Sequence, residues 1–121
     1  MRKSIAKGPT AGPYSPGIIA TGQKFVFVSG QIGQDLKGDI KSQTHESLAK
    51  IQKVLSEAGA KMKDIVKTTV YLENIGDYTE MNDVYKTYFI DVEPPARAAF
   101  QVAALPLGAK IEIEAIAILD E

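Results

Sequence analysis

The residues with the clearest capacity for chemistry lie in residues 94–117, which read PPARAAFQVAALPLGAKIEIEAIA. Arg97 follows two prolines and begins a run of small and apolar residues. A guanidinium stays charged and carries five N–H donors, so a partly buried arginine requires an anion. That anion is either an internal Asp or Glu, or the carboxylate or phosphate of a ligand. The residue types leave both interpretations open. A third interpretation is that the aliphatic part of Arg97 is buried while its guanidinium reaches solvent at the rim of the protein.

Glu112 is the second candidate in this stretch. Pro106 and Gly108 predict a turn, and the alternation that begins at Ile111 predicts a strand, so residues 97–117 are predicted to form a hairpin. In such a hairpin Arg97 and Glu112 would lie about four residues, or ~13 Å, apart along the strands. One hairpin would not bring them together. A site that uses both is therefore either large or completed by a second copy of the chain.

Composition limits the classes of protein that fit. With 121 residues, 45% of them hydrophobic, the chain is predicted to form one domain over residues 1–121. The net charge of −1 and the pI of about 5.8 argue against a nucleic-acid partner, because such binders present clustered Lys and Arg. Cysteine is absent, which excludes disulfides and thiolate catalysis. The basic N-terminus is followed by Gly and Pro, and no long apolar run occurs, so we expect a cytoplasmic protein without a membrane partner.

The first quarter of the chain contributes three further candidates. Residues 8–17, GPTAGPYSPG, form a loop stiffened by glycine and proline that carries Tyr14, which either meets a ligand or covers the end of the core. Residues 18–21 and 24–29 are predicted to form a hairpin. Its second strand is apolar on both faces, which favours a central position in a sheet. That strand ends at Ser29 and Gly30, where a hydroxyl and a closely approaching backbone are both available.

Helical patterns follow. Asp39 is predicted to cap a helix over residues 40–58, whose polar side carries His45, the only histidine, without a second ligand at metal spacing. His45 is therefore interpreted as a solvated side chain. Asp77 and Glu80 have the spacing of a capping box that begins a second helix, extending to about residue 89. Asn82 lies beside the packing face of this helix, as either a rim residue or a ligand contact.

The element order is therefore β-β-β-α-β-α-β-β, an α+β fold with a single sheet and two helices on one face. The strand over residues 64–72 falls between the two helices. Several strands are apolar on both sides, and two helices can cover only one face. We expect the uncovered face to be buried by further copies of the chain in a closed ring.

Six segments together resemble the RidA or YjgF-type reactive-intermediate deaminase family: GPYSPG, VSGQIG, DIVKTTVYL, MNDVY, PPAR and KIEIEAIA. The resemblance covers nearly the whole chain. It implies a chorismate-mutase-like fold assembled as a homotrimer, with ligand clefts between subunits and no metal or cofactor. It also implies hydrolysis of 2-imino acids such as 2-iminobutanoate and 2-iminopropanoate to 2-oxo acids and ammonia. The resemblance further implies that these substrates come from pyridoxal-phosphate enzymes that act on serine or threonine.

By the same resemblance, Arg97 holds the substrate carboxylate through two hydrogen bonds, and Glu112 holds or activates the attacking water. The residues implied to line the cleft are Tyr14, Ser29, Gly30 and Asn82. Many members carry Ser-Cys after the arginine, where this chain has Ala98 and Ala99. A thiol mechanism is thus excluded, although the carbonyl of Ala99 remains able to contact the imine nitrogen.

Two other functions stay open at this point. The first is a non-catalytic trimer that binds small carboxylates in a regulatory or chaperone-like role. The second is a ribonuclease that inhibits translation, against which the acidic balance of the chain argues. The presence of both Arg97 and Glu112 favours an enzyme, because capture of a carboxylate needs only the arginine.

Overall fold

The computed structural model describes the whole chain, Met1–Glu121. Its order of elements, β-β-β-α-β-α-β-β, confirms the predicted order and the α+β class. Short 3₁₀ turns precede β4 and α2, follow α2, and precede β6. The strands and helices are β1 (Arg2–Ile5), β2 (Gly17–Ala20), β3 (Lys24–Gln31), α1 (Ile40–Glu57), β4 (Ile65–Leu72), α2 (Tyr78–Tyr85), β5 (Ala96–Gln101) and β6 (Ile111–Leu119).

The main sheet has four strands in the order β3-β6-β4-β5. Strand β6 is antiparallel to both β3 and β4, whereas β5 is parallel to β4. Strands β1 and β2 form a separate antiparallel pair, which meets the main sheet through one bridge between Ser15 and Ala96. The prediction of one continuous sheet is therefore wrong. Strand β2 pairs with β1, and only Ser15, which precedes β2, reaches the edge strand β5.

Both predicted hairpins are wrong. Strands β5 and β6 do not pair, because β4 lies between them, and Thr68 of β4 is opposite Arg97 on one side and Ala115 on the other. Strands β2 and β3 do not pair either, since β3 lies against β6. Strand β3 is at an edge of the sheet instead of its centre, and Phe25 and Phe27 are 58% and 71% exposed. Alternation identified these strands, but it does not encode which neighbour each one takes.

Helix α1 follows its local signals closely. The Asp39 carboxylate accepts from the backbone N–H of Ser42 at 2.8 Å, and Gly59 has the positive φ of 76° that ends many helices. Thr44, Leu48, Ile51 and Leu55 are fully buried on one side of the helix. The predicted range of residues 40–58 exceeds the observed helix by one residue.

Helix α2 begins differently from its prediction. Asp77 makes no capping hydrogen bond, so the Asp77 and Glu80 capping box does not form. The side chain of Asn74 accepts from the N–H of Gly76 at 2.8 Å instead, within a 3₁₀ turn over Ile75–Asp77. The last predicted turn, Lys86–Phe89, is also 3₁₀. None of the helices is long and apolar enough to cross a lipid bilayer.

The helices pack on one face of the main sheet, and the core lies between them. On β6 the residues that face the helices, Ile111, Ile113, Ala115 and Ala117, are buried. The alternate residues face the other way, and β3 adds Phe25 and Phe27 there, opposite Ile118 and Ile116. We call this second side the open face. No element of the same chain covers Phe25 or Phe27, so the open face presents apolar side chains to solvent in a single chain.

Candidate functional site

Arg97 lies on β5 on the side that faces α2. Its partner in β4, Thr68, is fully buried, which fixes the side of the sheet from which Arg97 extends. Arg97 Nη1 donates to Oδ1 of Asn82 at 2.8 Å, and Nη2 donates to the hydroxyl of Tyr78 at 3.0 Å. The Sδ of Met81 is a longer contact at 3.8 Å. The half-buried guanidinium is therefore held in place by the first two turns of α2.

Three tyrosine rings surround the same guanidinium. The Arg97 Cζ lies 4.8 Å from the ring centroid of Tyr85, 5.2 Å from that of Tyr14 and 5.5 Å from that of Tyr78. Ring faces attract a cation at these distances. Sequence reasoning assigned Tyr78 and Tyr85 to packing only. The sequence did carry one signal that they belong to the site. Tyr78 precedes Asn82 by four residues and Tyr85 follows it by three, and side chains at those separations share one face of a helix.

No carboxylate lies within ion-pair distance of Arg97, and the ion pairs of the chain involve other residues. Nor does Tyr85 supply a negative charge. Burial raises the pKa of Tyr85 to about 12, and its hydroxyl hydrogen-bonds Thr68 at 2.7 Å. The internal-acid interpretation of Arg97 is thus ruled out within one chain. Its positive charge is solvated by neutral oxygens and aromatic rings, which leaves a place for an external anion.

The Tyr14 loop passes directly over this guanidinium. A Cβ added to Gly12 would be 2.8 Å from Arg97 Nη2 and 3.0 Å from the Tyr78 hydroxyl oxygen, so only glycine fits without displacement. Ser15 anchors the end of the loop. Its N–H donates to the carbonyl of Pro95 at 3.1 Å, and its hydroxyl donates to the carbonyl of Pro94. The double proline before Arg97 thereby also positions Tyr14.

Glu112 belongs to a second group of residues on the open face. It is half-buried on β6, between inward-facing Ile111 and Ile113. The β3–β6 register shifts between Val28 and Gln31, which indicates a bulge at Ser29 and Gly30. A Cβ on Gly30 would overlap the Glu112 carboxylate. The bulge therefore brings the backbone of β3 against the Glu112 side chain.

A further acidic residue follows Glu112 on the open face. Tyr71 of β4 donates its hydroxyl to Glu114, and this hydrogen bond is the main cause of the raised pKa of Tyr71. Tyr71 is also opposite Glu112 in the register of β4 and β6. Glu114 thus has a hydrogen-bond partner within the chain, the hydroxyl of Tyr71. Glu112 has no such partner and forms no ion pair.

The structure thus divides the predicted site residues into two groups. Arg97, Tyr14 and Asn82 meet beside α2, and Ala99, two residues beyond Arg97 on the same face, packs against the core. Gly30 and Glu112 meet on the open face, and Ser29 precedes Gly30 in the bulge. Within one chain nothing brings the two groups into a common cleft. The sequence also predicted that Arg97 and Glu112 lie apart, but from their spacing along a hairpin that does not form.

Neither cavity of the single chain joins the two groups. The larger, of about 520 Å³, lies against Tyr88, Met62 and the end of α1, and the smaller, of about 240 Å³, lies behind Tyr14 beside Ser4 and Glu93. No cluster of three or more His, Cys, Asp or Glu side chains is arranged to hold a metal ion. His45 is exposed as predicted, and its ring also contacts the Tyr88 hydroxyl at 2.6 Å.

Comparison with known proteins places this arrangement in a family. The family model described as endoribonuclease L-PSP matches residues 5–119. The 2-iminobutanoate/2-iminopropanoate deaminase of Bos taurus is 43% identical over 122 residues, covering 95% of this chain and 87% of the relative. The structure of YyfA, a Rid-family protein from Yersinia pestis, has a TM-score of 0.77 at 38% identity, covering 98% of this chain and 100% of that one. The structure of E. coli TdcF with bound serine has a TM-score of 0.73 at 35% identity and covers 90% of each chain. As its motifs predicted, the chain belongs to the endoribonuclease L-PSP family, to which the Rid and YjgF proteins also belong.

Proposed function

We propose that the protein is a hydrolytic deaminase that converts 2-imino acids, 2-iminobutanoate and 2-iminopropanoate among them, to 2-oxo acids and ammonia. The observation that carries the proposal is the guanidinium of Arg97, which is held at fixed geometry by Asn82 and Tyr78 and has no protein carboxylate as partner. A planar guanidinium suits a planar carboxylate, the group that all 2-imino acids share. The relative from Bos taurus bears the name of this activity.

The complete site is proposed to form between copies of the chain in a homotrimer. Arg97 and Glu112 face opposite sides of the sheet, so one chain supplies either the carboxylate-binding half or the acidic half of a given cleft. The open face exposes Phe25 and Phe27, which a partner copy would cover. A closed ring places the same two surfaces in contact at every interface, so three copies would build three equal clefts.

In this arrangement Arg97 holds the substrate carboxylate, and Glu112 of the neighbouring copy holds a water beside the imine carbon. The water oxygen attacks the carbon of the protonated imine (C=NH₂⁺) while Glu112 accepts a proton from the water, so a neutral carbinolamine forms. Glu112 returns that proton to the nitrogen and the C–N bond breaks. The carbinolamine hydroxyl then gives its proton to Glu112, which passes it to the departing ammonia, so ammonium and the 2-oxo acid are the products. The protein ends unchanged, and water is the only co-reactant.

The remaining predicted residues are assigned orienting roles. Tyr14 closes the side of the cleft next to Arg97, and the bulge at Ser29 and Gly30 leaves the Glu112 carboxylate accessible. The carbonyl of Ala99 accepts from the substrate nitrogen, a contact that does not need the missing thiol. The substrates would arise from pyridoxal-phosphate enzymes that eliminate water from serine or threonine.

A non-catalytic binder of small carboxylates is the second candidate. The observation that favours it is the serine bound in the TdcF structure, since serine carries a carboxylate but no imine. Such a protein would need Arg97 and its tyrosines but would not need Glu112.

The deciding experiment measures the decay of a 2-imino acid. An amino-acid oxidase or dehydratase generates the imine in the cuvette, and trapping by a nucleophilic amine reports how much imine remains. We expect catalytic amounts of the protein to shorten imine lifetime and to release 2-oxo acid and ammonia in equal amounts. A lifetime that does not change at micromolar protein would contradict the enzyme and leave the binder. Calorimetry with 2-oxobutanoate then tests the binder separately.

A further inference from the structure

We propose that the hydroxyl of Tyr78 is a positioning group that fixes Arg97 and the Tyr14 loop to each other. The guanidinium and the loop beside it would then keep their relative positions before a ligand carboxylate binds. The assignment rests on the proposed function for its kinetic consequence. Its structural part, the coupling of a loop to an arginine, can be tested without any substrate. None of the sequence motifs pointed to this residue.

The hydrogen bonding of Tyr78 has one consistent assignment. Its oxygen is 3.0 Å from Arg97 Nη2 and 3.3 Å from the carbonyl oxygen of Ala11. Arginine has only donors and a carbonyl has only acceptors. The Tyr78 hydroxyl therefore accepts a hydrogen bond from Arg97 Nη2 and donates its single proton to the carbonyl of Ala11. One hydroxyl thus provides a hydrogen-bond partner for both residues.

This hydroxyl forms the only hydrogen bond between residues 8–13 and the part of the chain outside residues 8–14. The other hydrogen bonds of that segment stay within the loop: Thr10 Oγ1 to the Gly12 carbonyl, the Ala11 N–H to the Tyr14 hydroxyl, and the Tyr14 N–H to the Gly12 carbonyl. Beyond Tyr14 the loop is anchored through Ser15. Loss of the Tyr78 hydroxyl would leave the segment before Tyr14 held by packing alone.

The position of Tyr78 suits a rigid support. It is the first residue of α2, directly after a 3₁₀ turn, and its partly buried ring packs against the core. Its ring also lies near the guanidinium, at 5.5 Å, and would stay there in a phenylalanine variant. The contribution of the hydroxyl can thus be separated from that of the ring, which keeps the cation–π contact in either case.

The effect on a reaction follows from what Arg97 contacts. A carboxylate is bound by Arg97 in the ground state and in the transition state alike, so a looser Arg97 weakens both. We expect Tyr78→Phe to raise KM for a 2-imino acid by about 10-fold to 150-fold, the range of one lost hydrogen bond to a charged group, and to change kcat by less than about threefold. A purely structural role would lower the melting temperature and the active fraction but leave KM unchanged.

The experiment compares Tyr78→Phe with Tyr88→Phe. Tyr88 also donates a hydroxyl hydrogen bond, to His45, but it lies outside the site and controls for loss of any tyrosine hydroxyl. Two readouts are measured on each variant: KM with kcat, and amide hydrogen exchange at Ala11 and Tyr14 by NMR. The expected result is a raised KM and faster exchange at both amides in Tyr78→Phe only. Unchanged exchange, or an unchanged KM despite faster exchange, would overturn the assignment.

Failure of the proposed function would look different. If the parent protein does not hydrolyse imines, the calorimetric Kd for 2-oxobutanoate replaces KM, with the same expected weakening in Tyr78→Phe. If the parent neither hydrolyses imines nor binds 2-oxobutanoate, the proposed function is wrong, and the exchange rates at Ala11 and Tyr14 alone decide whether Tyr78 positions the loop.

Discussion

Arg97 and Glu112 extend from opposite faces of the same four-stranded sheet, with strand β4 between the strands that carry them. The register fixes this relationship, because Arg97 is opposite buried Thr68 whereas Glu112 is opposite Tyr71, three residues later in β4 and on the other side of the pleat. No rotamer of either side chain can pass through the sheet. Chemistry that needs both groups at once therefore needs two copies of the chain.

The first prediction concerns assembly. We expect light scattering of the purified protein to give about three times the chain mass of 13.1 kDa, because a closed ring buries the exposed Phe25 and Phe27 of each copy. A protein that stays monomeric at micromolar concentration would remove the inter-subunit cleft from the proposal.

The second prediction tests whether each cleft is shared. Arg97→Lys and Glu112→Gln should each be nearly inactive alone. When the two variants are unfolded, mixed in equal amounts and refolded, a random trimer has both native groups in roughly a quarter of its clefts, and activity should recover to that fraction. Refolded parent protein provides the reference. A mixture no more active than its components would show that the two residues act within one chain.

The elements could be predicted largely from local signals, whereas their neighbours could not. The cap at Asp39 and the buried face of α1 depend only on spacing along one helix, so sequence reasoning placed that helix within one residue. The partner of β6 depends on contacts with distant segments, and the short connection to β5 made a hairpin look favourable. In the structure, the connection from β5 to β6 crosses β4, whose backbone pairs with β5 on one side and β6 on the other.

The same distinction applies to the site. Motifs identified Arg97, Tyr14, Asn82, Gly30 and Glu112, but they gave no information about which of these residues meet. Tyr78 and Tyr85 were missed as site residues because tyrosines at helical spacing are also typical of a packing face. Only the register, which sets Arg97 toward α2, reveals that these rings surround a charge.

The third prediction concerns Gly30. Its φ is not positive, so alanine can adopt its backbone, but the added Cβ would overlap the Glu112 carboxylate. We expect Gly30→Ala to move that flexible side chain, to reduce kcat by at least ~10²-fold through loss of the positioned acid/base group, and to leave the melting temperature nearly unchanged. Gly8→Ala is the matched control, because nothing lies within 4 Å of a Cβ there. Full activity in Gly30→Ala would mean that Glu112 does not need its observed position.

The fourth prediction concerns the shape of the cation at position 97. Arg97→Lys keeps the charge but replaces a planar fork by a single ammonium group, so it cannot bond Asn82, Tyr78 and a carboxylate with the same geometry. A shift of ~1 Å in the bound imine can reduce the rate about 100-fold. Steady-state kinetics should therefore show most of the activity lost, with circular dichroism unchanged. Kinetics close to those of the parent would show that Arg97 supports the fold only.

The last prediction separates the enzyme from the binder through Glu112. Glu112→Gln keeps the size of the side chain and one oxygen acceptor but removes the basic carboxylate, so water activation should be lost and turnover should fall by ~10²–10⁴. Binding of 2-oxobutanoate should survive, because the attracting charge belongs to Arg97, and removal of a nearby negative charge favours a bound carboxylate. Calorimetry and imine decay are therefore measured on the same preparations of parent and variant. Turnover lost with affinity kept identifies Glu112 as the acid/base group. Turnover kept would mean that water is activated elsewhere, and loss of both in an intact trimer would mean that Glu112 holds the cleft together through its contact with the Gly30 bulge.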